Sequence, residues 1–179
     1  MTEPVRCSWV TSDQIYKDYH DNEWGVPLRG QRELFEKISL EGFQAGLSWL
    51  TILKKREEFR RAFEDFDINK VANFGQDKVE QLLSNPGIIR NRLKVHATIN
   101  NARLVIEKGI DLTELLWSFQ PSPAQLANPE LLTSSSQSDD LSKELKSLGF
   151  KFVGSTTMYA LMQSTGIIKS HSKDCFLFS

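Results

Sequence analysis

The spacing of apolar residues between Arg32 and Phe66 constrains the fold of this chain most strongly. They recur mostly three or four residues apart, which is the period of an α-helix and not of a β-strand. The set consists of Leu34, Phe35, Ile38, Phe43, Leu47, Leu50, Leu53, Phe59 and Phe63. Gly42 and Gly46 lie within this run, and we expect them to divide it into two or more helices.

Two later helix starts are predicted from capping patterns. Asp77 with Glu80, and Asp111 with Glu114, each place an acidic N-cap three residues before a glutamate. Side chains so spaced can satisfy each other's backbone N–H groups at the first turn of a helix. We therefore expect helices to begin at both aspartates.

Two glycines predict helix ends, because glycine readily adopts the left-handed conformation that terminates a helix. We expect one helix over about 89–108, ending at Gly109, and another over about 139–148, ending at Gly149. The segment 120–138 is rich in Pro, Ser, Gln and Asn and predicts a loop. Sustained strand alternation and internal repeats are both missing, so the predicted fold is all-α.

Length and composition favour a compact protein. A chain of 179 residues with 40% hydrophobic and 25% charged residues can bury a core as one domain or as two small intimate ones. We expect one helical unit over residues 1–179, present as a monomer. The sequence shows neither a signal peptide nor a run of about 20 apolar residues, which favours a cytoplasmic protein without membrane contact. With a net charge of −1, any DNA-binding face must be a local patch.

The two cysteines, Cys7 and Cys175, lie near opposite ends of the chain. Without an export signal a disulfide is disfavoured, and metal ligation becomes the more interesting option. Together with His20 and His171 they would fill a tetrahedral zinc shell and leave no position for water. The alternative is a pair of small buried thiols and surface histidines near a fraying tail.

An aromatic and acidic cluster lies in the first 49 residues, which hold three of the four tryptophans. Its members are Trp9, Tyr16, Tyr19, Trp24, Glu41 and Trp49. Indole faces beside one carboxylate suit a flat, electron-poor heterocycle, because the rings stack on it and the carboxylate accepts from an exocyclic amine. The alternative is a set of core aromatics with a solvated glutamate.

A glycine-bracketed turn over residues 148–157 lies between two helical patterns. Backbone amides at such a turn and at the next helix start can bind an anion, and nearby hydroxyls add donors. The candidate phosphate contacts are Gly149, Lys151, Gly154, Ser155 and Thr156. The alternative is an ordinary turn between helices.

Four segments together resemble the 3-methyladenine DNA glycosylase I family, within the helix-hairpin-helix DNA glycosylase superfamily. They are 6–9 (RCSW), 19–27 (YHDNEWGVP), 40–49 (LEGFQAGLSW) and 149–154 (GFKFVG). The resemblance runs from about residue 6 to residue 175 with the motifs in family order. It implies a compact helical glycosylase fold with a helix-hairpin-helix element around 139–165. It also implies one structural Zn²⁺ that joins the two chain ends through Cys7, His20, His171 and Cys175.

The resemblance further implies a pocket for 3-methyladenine. In it Glu41 recognises the base as the catalytic carboxylate, Tyr19 hydrogen-bonds it and Trp49 stacks on it, while Trp9 and Trp24 line the cavity. Leu47, beside the pocket, is expected to fill the gap that the flipped nucleotide leaves in duplex DNA.

The implied function is base excision repair, in which the N-glycosidic bond of 3-methyladenine in alkylated double-stranded DNA is hydrolysed to leave an abasic site. One departure concerns the wider superfamily, because no carboxylate occurs between Gly154 and His171 where a catalytic aspartate is common. The alternative function is a zinc-stapled module that binds DNA without catalysis. A catalytic zinc hydrolase is disfavoured because four protein ligands would close the metal shell.

Overall fold

The computed structural model describes residues 3–179, so the first two residues of the predicted unit lie outside the description. The described residues form nine α-helices and two short 3₁₀ turns, and they contain no β-strand. The helices are α1 (Gln14–Asn22), α2 (Gln31–Gln44), α3 (Trp49–Ala62), α4 (Ile68–Ala72), α5 (Gln76–Ser84), α6 (Arg92–Lys108), α7 (Leu112–Trp117), α8 (Ser136–Leu148) and α9 (Ser155–Ser164). The 3₁₀ turns are Glu64–Phe66 and Pro129–Leu131. The all-α prediction is confirmed.

The apolar run from Arg32 to Phe66 divides at one glycine and not at two. Gly46 has a φ of +81° in the turn between α2 and α3. Gly42 lies inside α2, so its predicted role as a helix break is wrong. A Cβ at Gly42 would lie 3.3 Å from the Cβ of Phe152, which shows that the missing side chain makes room for the segment between α8 and α9.

Of the two predicted caps, one is confirmed and one is wrong. Asp111 is the N-cap of α7, and its carboxylate accepts from the backbone N–H of Glu114 at 3.0 Å. Helix α5 begins at Gln76 after an extended Gly75, so Asp77 lies in the first helical turn. At that position its negative charge still stabilises the helix, because the N-terminal end of the helix dipole is positive.

The two predicted helix ends are confirmed, whereas the starts shift by three residues. Gly109 has a φ of +60° and Gly149 a φ of +101°, both in the left-handed region. Helix α6 begins after Asn91, whose side chain caps it. Helix α8 begins inside the predicted loop because Ser135 and Ser138 form a reciprocal capping box.

Helix α2 runs through the centre of the molecule, where it packs against α3, α6, α7 and α9. All ten of its residues from Leu34 to Phe43 are buried, and beside it Phe59, Phe63 and Phe66 build an aromatic core. Three of those ten, at positions 36, 37 and 41, are charged residue types. Buried charges are costly unless they are paired or used by a ligand, so α2 carries polar groups that need an explanation.

Among residues 3–179, every helix is too short or too polar to cross a bilayer.

Candidate active site and metal cluster

A cavity of about 300 Å³ opens between α1, α2, α3 and α9. Helix α1 contributes Tyr16 and Tyr19, which lie one turn apart and therefore on one face. Glu41 reaches the cavity from α2, and Trp49 is the first residue of α3. The other lining residues are Cys7, Ser8, Trp9, Trp24, Gln44, Glu130, Leu131, Leu132, Ala160, Gln163, Ser170 and Ser172. The structure thus brings together all five residues predicted for base recognition.

The aromatic rings of the cavity pack against one another at tilted or edge-on angles. Trp9 lies 5.1 Å from Trp24 and 6.4 Å from Tyr19, centroid to centroid. Tyr19 lies 5.7 Å from Trp49. Such contacts rigidify a wall of π-faces on which a flat ligand can stack.

Three buried polar atoms have no hydrogen-bond partner among residues 3–179. They are Glu41 Oε2, Trp49 Nε1 and Ser170 Oγ, and all three residues line this cavity. A buried polar group without a partner costs about 1–3 kcal/mol. Two donors and an acceptor left free around one cavity therefore indicate that a polar ligand completes the site.

The ionisation of Glu41 is strongly perturbed. Only 3% of the residue is exposed, and this burial raises the pKa of its carboxyl to about 7, although the ammonium of Lys37 acts to lower it. Burial also raises the pKa of Tyr19 well above its ordinary value, and the carboxylates of Glu41 and Glu23 add to the effect. The phenol of Tyr19 therefore keeps its hydrogen at neutral pH, while Glu41 titrates near it.

An ion-pair network that sequence reasoning missed lies behind the cavity. Lys37 Nζ lies 2.6 Å from Glu23 Oε1, and Arg56 binds both oxygens of Glu23 at 2.7 and 2.8 Å. Arg56 and Arg60 both contact Glu36 Oε1, at 2.7 and 3.0 Å. Although burial favours the neutral acid, Arg56 and Lys37 lower the pKa of Glu23 to about 2.

The four predicted metal ligands also come together. The ligand atoms of Cys7, His20, His171 and Cys175 all lie within 4.8 Å of one another, and both cysteines are free thiols. His171 Nδ1 lies 3.7 Å from Cys7 Sγ and 3.6 Å from Cys175 Sγ, while His20 Nε2 lies 3.5 Å from Cys175 Sγ. This set of two thiols and two imidazoles could hold a metal ion.

The cluster is supported from outside by an acidic residue. The other ring nitrogen of His20, Nδ1, lies 2.8 Å from Asp21 Oδ1. Arg6 in turn donates to both oxygens of Asp21, at 2.8 Å from Nε and 2.6 Å from a terminal nitrogen. A carboxylate at this position orients the imidazole so that Nε2 faces the thiols.

The segment 149–154 joins α8 and α9, where the sequence predicts a hairpin. Asn101 on α6 clamps it, because its side-chain amide donates to the carbonyl of Lys151 at 3.1 Å and accepts from the N–H of Lys151 at 3.0 Å. Asn100 donates to the carbonyl of Gly149 at 3.1 Å. The clamp was not predicted, because asparagines inside a helical pattern do not reveal which distant backbone they contact.

The residues predicted to contact DNA differ in whether their side chains already have partners within the protein. Lys151 and Thr156 are exposed, and Gly154 precedes α9 as its N-cap residue. The hydroxyl of Ser155, in contrast, bonds the carboxylate of Asp139 and lies 2.9 Å from Ser138 Oγ. Ser155 therefore already has internal partners in the free protein.

Leu47 lies in the turn between α2 and α3, between Gln44 and Trp49, which both line the cavity. Leu47 is 41% exposed. Lys94 holds this turn, because its buried ammonium donates to the carbonyls of Phe43 and Ala45 at 2.9 and 2.6 Å. The exposed leucine is thus presented by a fixed backbone.

Comparisons with known proteins cover almost the whole chain. Residues 9–178 match the family described as methyladenine glycosylase. The chain is 49% identical to DNA-3-methyladenine glycosylase 1 of Escherichia coli (strain K12), with 95% of each covered. It superposes on a crystal structure of 3-methyladenine DNA glycosylase I with a TM-score of 0.91 at 47% identity, covering 98% of this chain and 100% of the other.

A further solved structure, of the 3-methyladenine DNA glycosylase I from Staphylococcus aureus, concerns the structural basis of 3-methyladenine recognition. This chain superposes on it with a TM-score of 0.89 at 36% identity, covering 97% of this chain and 96% of that one. The family match includes Glu41, Trp49 and three of the four cluster residues, while Cys7 lies just before its first residue.

Proposed function

The chain belongs to the methyladenine glycosylase family, and from this premise we propose that it hydrolyses the N-glycosidic bond of 3-methyladenine in alkylated double-stranded DNA. The products are free base and an abasic site, as in base excision repair. The observation that carries the proposal is the cavity in which the aromatic rings surround the unpartnered polar atoms of Glu41 and Trp49.

Base flipping is the first requirement, because the bond to be cut is hidden in stacked DNA. Extrusion of a nucleotide costs a few kcal/mol, and the cost is least for a damaged base. In this proposal the exposed side chain of Leu47 fills the gap in the duplex. The extruded base then enters the cavity and stacks on Trp49, with Trp9 and Trp24 completing the walls.

Glu41 selects the base by its exocyclic amine. A carboxylate only accepts hydrogen bonds, so it pairs with the N6 amine of an adenine. A base with a carbonyl at that position would face it with a second acceptor, and both would stay unpaired. Methylation at N3 makes the base of the nucleoside cationic, so an ionised Glu41 also attracts it by charge.

Cleavage of the N-glycosidic bond needs little general-acid catalysis. The cationic base leaves as a neutral purine, positive charge moves to the sugar, and water attacks C1′. Glu41, or a water that it holds, is the proposed general base. The missing carboxylate after the hairpin is consistent with such a weak bond.

Zinc is the metal that best fits the cluster of Cys7, His20, His171 and Cys175. Tetrahedral Zn²⁺ with Zn–S of about 2.3 Å and Zn–N of about 2.05 Å implies sulfur to nitrogen separations of about 3.6 Å. The separations of 3.5, 3.6 and 3.7 Å between these atoms match this value. Zinc bound there supplies folding energy and not catalysis, since four protein ligands leave no site for water.

DNA is gripped by a helix-hairpin-helix element formed by α8, the segment 149–154 and α9. Backbone amides at the start of α9 provide donors for a phosphate, and Lys151 and Thr156 add side-chain contacts. We further propose that the whole chain acts as one monomeric unit on its duplex substrate. Contacts to the phosphates position the protein while the cavity reads the lesion.

The test is release of free base from methylated duplex DNA, with chemical identification of the product. The wild-type protein is expected to release 3-methyladenine. Glu41→Gln is expected to stay folded and lose most of this activity, while Glu107→Gln, at an exposed glutamate of α6, retains it. Tight DNA binding without base release by the wild-type protein would instead identify a binding module without catalysis.

A further inference from the structure

Lys37 is a buried cation directly behind the aromatic wall of the cavity. Only 2% of the residue is exposed, and its Nζ lies 4.7 Å from the ring centroid of Tyr19 and 5.7 Å from that of Trp49. It donates to the hydroxyl of Tyr19 at 3.3 Å. Lys37 also precedes Glu41 by four residues on α2, so the two side chains share one face of the helix.

The hydrogen bond between Lys37 and Tyr19 has only one possible direction. An ammonium group carries three donors and no acceptor, so the phenol oxygen must accept. The hydrogen of the Tyr19 hydroxyl is then available to an acceptor, for which Ser164 and a base bound in the cavity compete. Toward such a base Tyr19 acts as a donor.

The network around Lys37 pairs each of its cations with a carboxylate. Lys37, Arg56 and Arg60 contribute three cations, and Glu23, Glu36 and Glu57 contribute three carboxylates. Lys37 is therefore fixed in place by Glu23, 2.6 Å from its Nζ. Glu41 shares no ion pair with them, and its Oε2 has no partner in the part of the chain that the structure describes.

We infer that Lys37 is the positioning residue that fixes the hydrogen-bond polarity of the base pocket, because it keeps Glu41 an acceptor and Tyr19 a donor. A pocket of this polarity takes a purine that offers an exocyclic amine together with an accepting ring nitrogen. Purines that carry a carbonyl in place of the amine meet the wrong partner. This inference rests on the proposed glycosylase function and names the residue that sets its base specificity.

The ionisation of Glu41 responds to several groups around the cavity. The titratable or charged residues that line it or lie behind it are Cys7, Tyr16, Tyr19, Glu23, Lys37, Arg56 and Glu130. Helix α9 contributes only Ala160 and Gln163 to the lining. Of these groups, Lys37 is the one that lowers the pKa of Glu41 against the effect of burial. Loss of its charge is therefore expected to make Glu41 a weaker acid.

The experiment compares Lys37→Gln, Lys37→Met and Lys37→Arg in single-turnover release of 3-methyladenine from duplex DNA between pH 6 and pH 9. Lys37→Gln removes the charge but keeps a donor. An opposite charge shifts a carboxyl pKa by about one unit or more. The acid limb of the Lys37→Gln profile should therefore move up by about one pH unit. This predicts a rate about fivefold below wild type at pH 7 and nearly equal to it at pH 9.

The other variants separate charge from hydrogen bonding. Lys37→Arg keeps the charge and should restore the wild-type profile. Lys37→Met also removes the donor to Tyr19 and should be slower at every pH. Lys78→Gln is the matched control, since Lys78 likewise lies beside an aromatic ring, that of Phe74, but is not among the residues that line the cavity.

Outcomes for the inference and for the proposed function are distinct. A folded Lys37→Gln protein with an unshifted profile overturns the inference, while release by the wild type still supports the function. No release by the wild type defeats the function itself. In a Glu41→Gln background, Lys37→Gln should leave the pH profile of residual release unchanged, and a persisting shift would show that Lys37 acts through another group. Should Lys37→Met not fold, Lys37→Gln and Lys37→Arg still decide the question.

Discussion

Replacement of Glu41 by glutamine is expected to weaken catalysis and to make the protein more stable relative to wild type as the pH rises. The carboxyl titrates near 4.5 when exposed and near 7 in the folded protein, because burial disfavours its charged form. A folded-state pKa above the unfolded value means that ionisation costs stability. The cost is absent below pH 4.5, grows between 4.5 and 7, and is fully present above 7.

The size of this cost follows from the two pKa values. One pKa unit corresponds to 1.36 kcal/mol, so the ionised carboxylate destabilises the fold by about 3 kcal/mol at pH 8 and by about 1 kcal/mol at pH 5. The amide of the glutamine does not titrate in this range. The stability of Glu41→Gln relative to wild type should therefore increase by about 2 kcal/mol between pH 5 and pH 8.

Urea unfolding of both proteins at pH 5, 6.5 and 8 measures this difference. The exposed Glu107→Gln variant serves as the control and should follow wild type at each pH. If the difference between Glu41→Gln and wild type is the same at pH 5 and pH 8, Glu41 is not held as a buried, partnerless carboxylate. The reasoning about its role in the cavity would then be wrong.

Three further perturbations test the metal, the turn and the hairpin. Cys175→Ser should lose the bound metal seen by elemental analysis and lower the melting temperature by about 10 °C or more, and a variant with full metal content would contradict the ligand set. Leu47→Ala should slow release from duplex DNA about tenfold without changing free-base binding, which corresponds to about 1.4 kcal/mol. Leu93→Ala, at a leucine that is 72% exposed, should leave both the release rate and free-base binding unchanged. Loss of free-base binding in Leu47→Ala would show that Leu47 does not act by filling the gap in the duplex. Asn101→Ala should cost about 2 kcal/mol of unfolding free energy, because it leaves the backbone of Lys151 unpaired, and an unchanged value would show that the hairpin is held otherwise.

Local chemistry explains which helix boundaries could be predicted from the sequence. Gly109 and Gly149 terminate helices through their own left-handed backbone, so no distant residue decides the outcome. Gly42 was misjudged because its role is set by Phe152, more than a hundred residues away. Asp77 was misjudged because positions 75 and 77, two residues apart, both offer a plausible N-cap, and a glutamate at 80 does not choose between them.

The residues of the candidate site also fall into those that were expected from the sequence and those that were missed. The residue types of Cys7 and Trp49 leave a purely structural role open, and the resemblance to a known family assigns them to the cluster and the cavity where they lie. Lys37 and Asn101 are common residues whose meaning depends on partners from other segments. A signal for Lys37 was present, since it lies beside Ile38 in the middle of the apolar run of α2, where a charge is costly without a partner.

The most direct test of the base pocket is a crystal structure of the protein with 3-methyladenine bound. We expect a purine in the cavity, stacked on Trp49, with its exocyclic amine within about 3.2 Å of a Glu41 oxygen. A base bound outside the cavity, or one whose amine faces away from Glu41, would show that these residues do not form the base pocket.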